Sequence, residues 1–405
     1  MDNFGNKLIY HLPKSKGEIN PNKIKINSSP YLEYPEFRLG FQHFLHQSKD
    51  KMEILESFKG KKPVYNVTNK FEIQIDEYDD SIYSNALKYI PIPKNMSHID
   101  YSFFALWEIY SLFNIFTNSS SSIVHLNEIS GNLYTSTALY RMNSGNKTDK
   151  TAVFTNNKNL PSPSVGSSKI KIIKDMNSTK ILNEIVKMKN IDVIVSDLEL
   201  SLDNSTMQET KLFGILLKQI SIAFQIQKKG GCLICRIGET FTQSTMSLIQ
   251  LLTTAYSDTY IIKPLTVKPS SSEKFIVCKG FTEFKGLDKI SSMLFSLSKN
   301  NLSDCLTGFQ LQNEPGSDLI KTMTLLNSEI SNSTFIALNK IVAFIESQNY
   351  HGDVYHNLRD EQIKATKTWI NLFFPKNKKD QQKINEKFLK GIIDFNSKKI
   401  VEVDV

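Results

Sequence analysis

The sequence predicts an α/β fold: a mostly parallel sheet whose last strand is antiparallel, with helices on both faces. An N-terminal extension and a C-terminal helical region flank it. Three observations predict this. From about residue 100, short apolar runs alternate with longer stretches of helical spacing, the order that builds a parallel sheet. Asp192–Ser196 and Gly231–Arg236 are apolar without polar alternation, as strands covered on both faces are. The last two strands are joined only by KPLTVKPSSSEK, which has no helical pattern. So short a connection favours an antiparallel pair.

The elements follow in order. Residues 1–98 read as an irregular extension, with prolines at 13, 21, 30, 35, 63, 91 and 93. Within it Phe37–Ser57 has the spacing of one helix. Residues 99–284 form the central domain. Tyr101–Phe116 is a helix apolar on most faces, Ile123–Leu126 a strand and Leu133–Met142 a helix. Ala152–Thr155 and Ile170–Ile173 are strands, and Thr179–Met188 a helix with apolar residues at 181, 182, 185 and 186. Then come strand Asp192–Ser196, helix Met207–Gln227, strand Gly231–Arg236, helix Thr242–Ala255, and strands Thr259–Ile262 and Phe275–Cys278. Residues 285–405 are helical, with candidates Leu287–Leu297, Leu319–Leu326, Thr334–Glu346 and Asp360–Phe374. The charged stretch 376–383 reads as a solvated helix or linker.

Composition narrows the class. Of 405 residues 40% are hydrophobic and 22% charged, which excludes a disordered chain, a collagen and a coiled-coil rod. The best apolar run, Ile215–Phe224, is interrupted by Lys218 and Gln219, so no membrane span is expected. The N-terminal residues lack an apolar signal core, which points to a cytoplasmic protein. Four cysteines then imply reduced thiols. The formal charge of +8, from 49 basic and 41 acidic residues, permits a polyanion such as RNA as partner.

Four segments carry candidate chemistry. In HLNEISGNLY (125–134) a strand runs into Glu128, Ser130, Gly131, Asn132 and a helix. Ligand crevices of parallel sheets lie at such strand ends, and glycine lets the backbone approach a ligand. An ordinary strand-to-helix turn reads the same way. In DVIVSDL (192–198) Asp197 follows an apolar strand, either as a crevice carboxylate or as a helix N-cap. GGCLICR (230–236) brings a double glycine into a strand that ends in Arg236. Cys232 and Cys235 point to opposite faces of that strand, so they do not share a metal, and none is expected. The fourth segment is KPLTVKPSSSEKFIVCKGF (263–281), with two Lys-Pro pairs, a serine run, Glu273 and a strand.

In this order the four segments resemble FtsJ-like ribose 2′-O-methyltransferases, in particular the cap methyltransferase branch with its relatives in large cytoplasmic DNA viruses. The resemblance implies a Rossmann-like methyltransferase sheet, S-adenosylmethionine as cofactor, and RNA, capped mRNA included, as substrate. It implies cofactor contacts at Glu128, Ser130, Gly131, Asn132 and Asp197, with Asp175 at the adenine. Asp197 matches the aspartate and Glu273 the glutamate of the family's Lys-Asp-Lys-Glu tetrad. Both lysines are replaced. Arg236 stands at the second, and alignment of Ala105 and Tyr110 puts Glu108 at the first, with Trp107 beside it. Ser130 and Asn132 also depart from the family's Pro-Gly-Gly turn.

An arginine keeps its proton, so it can steady a developing alkoxide but cannot act as base. Two functions therefore follow as expectations. One is an RNA 2′-O-methyltransferase reacting at Asp197, Arg236, Glu273 and Glu108, with Lys263, Lys268 and Lys274 near phosphates. The other is an inactive methyltransferase-fold subunit of a capping or virion-associated assembly, binding RNA or protein partners. A nicotinamide oxidoreductase fits poorly, since no G-x-G-x-x-G follows the first strand of the central domain.

Overall fold

The computed structural model describes residues 9–17, 19–29, 42–75, 79–90, 92, 99–146, 148–160, 169–176, 178–200, 207–299 and 305–374. In chain order the strands are β1 (Ile9–Leu12), β2 (Lys25–Ser29), β3 (Ser122–Leu126), β4 (Lys150–Thr155), β5 (Lys169–Lys174), β6 (Ile191–Ser196), β7 (Gln227–Ile237), β8 (Tyr256–Ile262), β9 (Lys274–Phe281) and β10 (Cys305–Gln310). The α-helices are α1 (Gln42–Asp50), α2 (Ile82–Ala86), α3 (Tyr101–Phe113), α4 (Asn132–Asn143), α5 (Thr179–Ile185), α6 (Gln208–Ile226), α7 (Gln243–Ala255), α8 (Leu287–Lys299), α9 (Ser317–Glu346) and α10 (Asp353–Phe373).

Eight strands form one sheet in the order β5-β4-β3-β6-β7-β9-β8-β1. β5, β4, β3, β6 and β7 pair in parallel. β9 runs antiparallel to both β7 and β8, as the short 263–274 connection requires. It inserts between them, so β8 keeps the direction of β7. The strand order reverses between β3 and β6, which puts the topological switch point there.

The two faces are covered by different helices. Val124, Phe154, Ile194, Leu233 and Ile276 pack with α5, α6, α7 and α8. Ile123, Val193, Val195, Ile234 and Val277 pack with α3, α4 and α10. α3 lies inside this second layer: from Ser102 to Phe113 every residue is buried. Its all-round apolar sequence is thus the sequence of a helix covered on all sides.

Several elements differ from the sequence reading. β1 extends the sheet by pairing antiparallel with β8, and β2 pairs with β10. Strands of four to six residues, IYHL, KINSS and CLTGFQ, hold too few residues to show a period. The helix expected over 37–57 is described as α1 followed by a 3-10 segment, Lys51–Phe58; residues 37–41 lie outside the described residues. Leu319–Leu326 and Thr334–Glu346 belong to one helix, α9, of 30 residues. The polar stretch between them stays helical because Ile330, Ser331 and Thr334 are buried against the rest of the fold. The stretch 376–383 lies outside the described residues. No helix among the described residues is long and apolar enough to cross a membrane.

Candidate active site

The switch point gathers the first pieces. β3 and β6 are adjacent and parallel, so the residues just after them lie side by side. Asp197 N donates to Leu126 O at 2.9 Å, and Asn127 Nδ2 donates to Asp197 O at 3.2 Å. The turn after β3 is shaped by Gly131, whose φ of 89° is left-handed and suits a residue without Cβ. Glu128 does not point outward from this turn. Its carboxylate accepts from Gly131 N at 3.0 Å, Leu133 N at 3.3 Å and Tyr134 N at 3.1 Å, capping α4, and it is 1% exposed. His125 Nδ1 sits 3.4 Å from the same carboxylate. Glu128 therefore builds the turn, and its carboxylate is committed to backbone amides rather than held ready for a ligand's ammonium. Asn132 links the turn to α3 by accepting from Asp100 N at 3.4 Å, while Ser130 Oγ accepts from Asn132 Nδ2 at 3.0 Å.

The neighbouring strands supply the rest. Arg236 sits near the end of β7, and the antiparallel register places it opposite Phe275 of β9. Glu273, just before β9, thus falls beside the guanidinium. Arg236 Nη1 is 3.2 Å from Asp197 Oδ1, and Arg236 Nε is 3.3 Å from Glu273 Oε1. The guanidinium also lies 5.5 Å over the Phe275 ring. All three charged side chains are buried. The sequence separation of 76 residues between Asp197 and Glu273 is closed entirely by sheet topology.

The electrostatics follow from one cation between two carboxylates. Burial pushes the Asp197 carboxyl up to about 7; Arg236 opposes this, and the charges of Glu128 and Glu273 add to it. Burial opposes the charge on Arg236, but Asp197 and Glu273 outweigh it and raise its pKa further. Arg236 Nε, Arg236 Nη2 and Glu273 Oε1 make no hydrogen bond, because the ion-pair contacts miss hydrogen-bond geometry. Arg236 Nε and Glu273 Oε1 still face each other as an ion pair, which leaves Arg236 Nη2 as the buried donor with no partner in this cluster.

Sequence reasoning missed Tyr101. Its hydroxyl donates to Glu273 Oε2 at 2.7 Å, and burial followed by the Glu273 charge raises its pKa. The signal was available, since Asp100 is a good N-cap and puts Tyr101 at the first turn of α3, nearest the strand ends. Glu108 lies seven residues on, two turns or about 10 Å along the axis. Its carboxylate accepts from Leu265 N at 3.0 Å and from Trp369 Nε1 at 3.2 Å. It fastens the 263–273 connection and α10 to α3, and Tyr101 is the α3 side chain that bonds to Glu273. Asp175 is exposed at the end of β5 in a left-handed conformation, with Met176 Sδ receiving Asn127 N at 3.1 Å. No contact joins Asp175 itself to Asp197.

Of the lysines expected near phosphates, Lys263 and Lys274 lie inside the protein. They donate to backbone carbonyls, Lys263 to Pro269 O at 3.3 Å and to Ser271 O, Lys274 to Ser272 O at 3.3 Å and to Gly238 O. Burial lowers both, to about 7 and about 8. Lys268 donates to Asn66 Oδ1 at 3.1 Å. These residues shape the connection that delivers Glu273.

Residues 102–281 match the FtsJ-like methyltransferase family. They form an FtsJ-like methyltransferase domain. The match begins at α3 and ends with β9, so it contains Asp197, Arg236 and Glu273 and stops one residue short of Tyr101. An uncharacterised protein of Acanthamoeba polyphaga mimivirus is 25% identical over 280 residues, covering 68% of this chain and 66% of that one. The cap-specific mRNA (nucleoside-2′-O-)-methyltransferase 1 of Dictyostelium discoideum is 34% identical over 98 residues, 24% of this chain and 13% of that one. A Caenorhabditis briggsae relative, named as an inactive cap-specific mRNA (nucleoside-2′-O-)-methyltransferase 1B, is 25% identical over 46% of this chain and 23% of that one. The chain thus matches less than a quarter of these two cap methyltransferase relatives. Their similarity concerns the FtsJ-like domain.

Proposed function

We propose that the chain is an S-adenosylmethionine-dependent RNA methyltransferase acting on a ribose 2′-hydroxyl near an mRNA cap. The observation that carries this reading is the convergence of Asp197, Arg236 and Glu273 at the strand ends of an FtsJ-like domain. The cap-specific relatives support the substrate, and the mimivirus relative supports a virus-associated setting.

The residues fit the cofactor in one respect and fall short in another. Gly131 takes the left-handed conformation that shapes the turn beside Asp197, and Arg236 Nη2 is a buried donor without a hydrogen bond there. Glu128, however, holds the turn from inside, so Ser130, Gly131 and Asn132 with Asp197 would hold the amino-acid end, and Asp175 the adenine. When bound, the cofactor supplies an electrophilic methyl on a sulfonium. The ribose 2′-oxygen gains that methyl as the carbon–sulfur bond breaks, and its proton must go to a carboxylate, because the guanidinium accepts none. Asp197, raised to about 7, is the group best matched to neutral solution. Arg236 Nη2 would donate to the oxygen as charge develops, and Tyr101 would hold Glu273 in place.

A second reading, an inactive subunit that binds RNA or protein partners, is favoured by Arg236 in place of a titratable lysine. Calorimetric titration with S-adenosylmethionine and transfer of labelled methyl to capped, unmethylated RNA separate the two. Binding with no incorporation on any RNA supports the second. Incorporation that Asp197→Ala abolishes and Arg236→Lys retains or raises supports the first.

A further inference from the structure

At the end of the sheet opposite Asp197 lies a polar cavity of about 380 Å³. It sits where β6 begins and β9 ends, beside the C-terminus of α3. Asp192 at its edge and Asp197 are five residues apart on an extended strand, about 16 Å. The cavity is therefore separate from the candidate active site.

Its rim is cationic. Lys228, Lys229 and Lys279 line it against a single carboxylate among its described lining residues, Asp192. Asp192 is already engaged, accepting from Ser122 N at 2.9 Å and from Lys228 at 3.2 Å. Lys279 donates to Phe113 O at 2.8 Å, which offsets the carbonyl end of α3. Lys228 and Lys229 are exposed. A bulge presents them: Ile191 pairs with Gln227 and Val193 with Cys232, so two steps along β6 face five along β7. Three extra residues are pushed out, carrying the lysines. The glycines make this possible, since Gly230 has φ +81° and a Cβ on Gly231 would lie 2.8 Å from Lys228 O. The KKGG stretch thus spends two glycines to hold two ammonium groups at the mouth of a cavity. Methyl transfer uses none of these residues.

We propose that this cavity binds a phosphate group, either of an RNA chain or of a free nucleotide. The lysines, with the hydroxyl-bearing Thr117 and Ser121 in the same lining, are the donors such an anion needs. The test uses the full chain and its Lys228→Ala/Lys229→Ala variant. Inorganic tripolyphosphate is titrated calorimetrically, and a short single-stranded RNA is followed by fluorescence anisotropy over a salt series. The double variant should weaken binding on the order of tenfold, and for RNA should flatten the salt dependence by about 0.7 per lost contact. Weakening of both probes assigns the site to RNA phosphates; weakening of tripolyphosphate alone assigns it to a free nucleotide. Unchanged binding of both, or no binding of either to the wild type, overturns the proposal. Asp197→Ala should leave the tripolyphosphate titration unaltered, so failure of the methyl-transfer reading and failure of this one are read independently.

Discussion

A guanidinium between two buried carboxylates leaves one negative charge in excess when both are ionised, and Asp197 bears the consequence. The folded chain holds a proton on Asp197 up to about pH 7, whereas an unfolded aspartate loses it near pH 4. Between these values the folded state binds more protons, so stability from this residue falls as pH rises. Activity should run the other way, rising through about pH 7 as the base ionises. Asp197→Asn should therefore abolish methyl transfer while raising the melting temperature at pH 8 by about 2–4 °C, with little effect at pH 5. A fall in melting temperature at pH 8 would show that the ion pair outweighs the buried charge. Tyr101→Phe removes the only hydrogen bond to Glu273 Oε2 among the described contacts. We expect kcat to drop by about tenfold with little change in KM, the cost of one hydrogen bond to a charged group. Equal kcat in steady-state assays would make Tyr101 a packing residue only.

At the scale of elements, α1 is fixed to the domain by a buried charge cluster. Lys49 Nζ lies 2.5 Å and His46 Nε2 3.0 Å from the carboxylate of Glu239, two residues beyond β7. Burial works against the Glu239 charge, but His46 and Lys49 outweigh it and hold its pKa down at about 2. Lys49→Met leaves that carboxylate buried with a weaker partner, and breaking such a pair costs about 3–5 kcal/mol. Urea denaturation should show the loss, and the double variant with Glu239→Gln should regain part of it. Such long-range pairs explain what was legible in the sequence. The parallel strands and the antiparallel β9 could be read from apolar runs and the short connection before β9, whereas Asp197, Arg236 and Glu273 were tetrad candidates only through the family resemblance. β1, β2 and β10 could not, because a few residues carry no period and only their partner strands define them. Nor could the role of Glu108, since its acceptors' partners, Leu265 N and Trp369, are 157 and 261 residues away.

For the whole molecule, the two ends of the sheet differ in chemistry: buried carboxylates and an arginine at one, lysines at the other. A ligand that binds only the folded chain stabilises it by mass action, about 2.7 kcal/mol at a hundredfold excess over Kd. S-adenosylmethionine should thus raise the melting temperature of the wild type and of Lys228→Ala/Lys229→Ala alike, as thermal-shift measurements would register. A rise confined to the wild type would mean that the two ends are coupled. The most direct measurement of all is transfer of labelled methyl to capped RNA, with the product digested to locate the label. Wild-type protein should place it on a ribose 2′-oxygen, and Asp197→Ala should place none. Label on a base, or equal incorporation by Asp197→Ala, would contradict the assignment of the reaction to Asp197, Arg236 and Glu273.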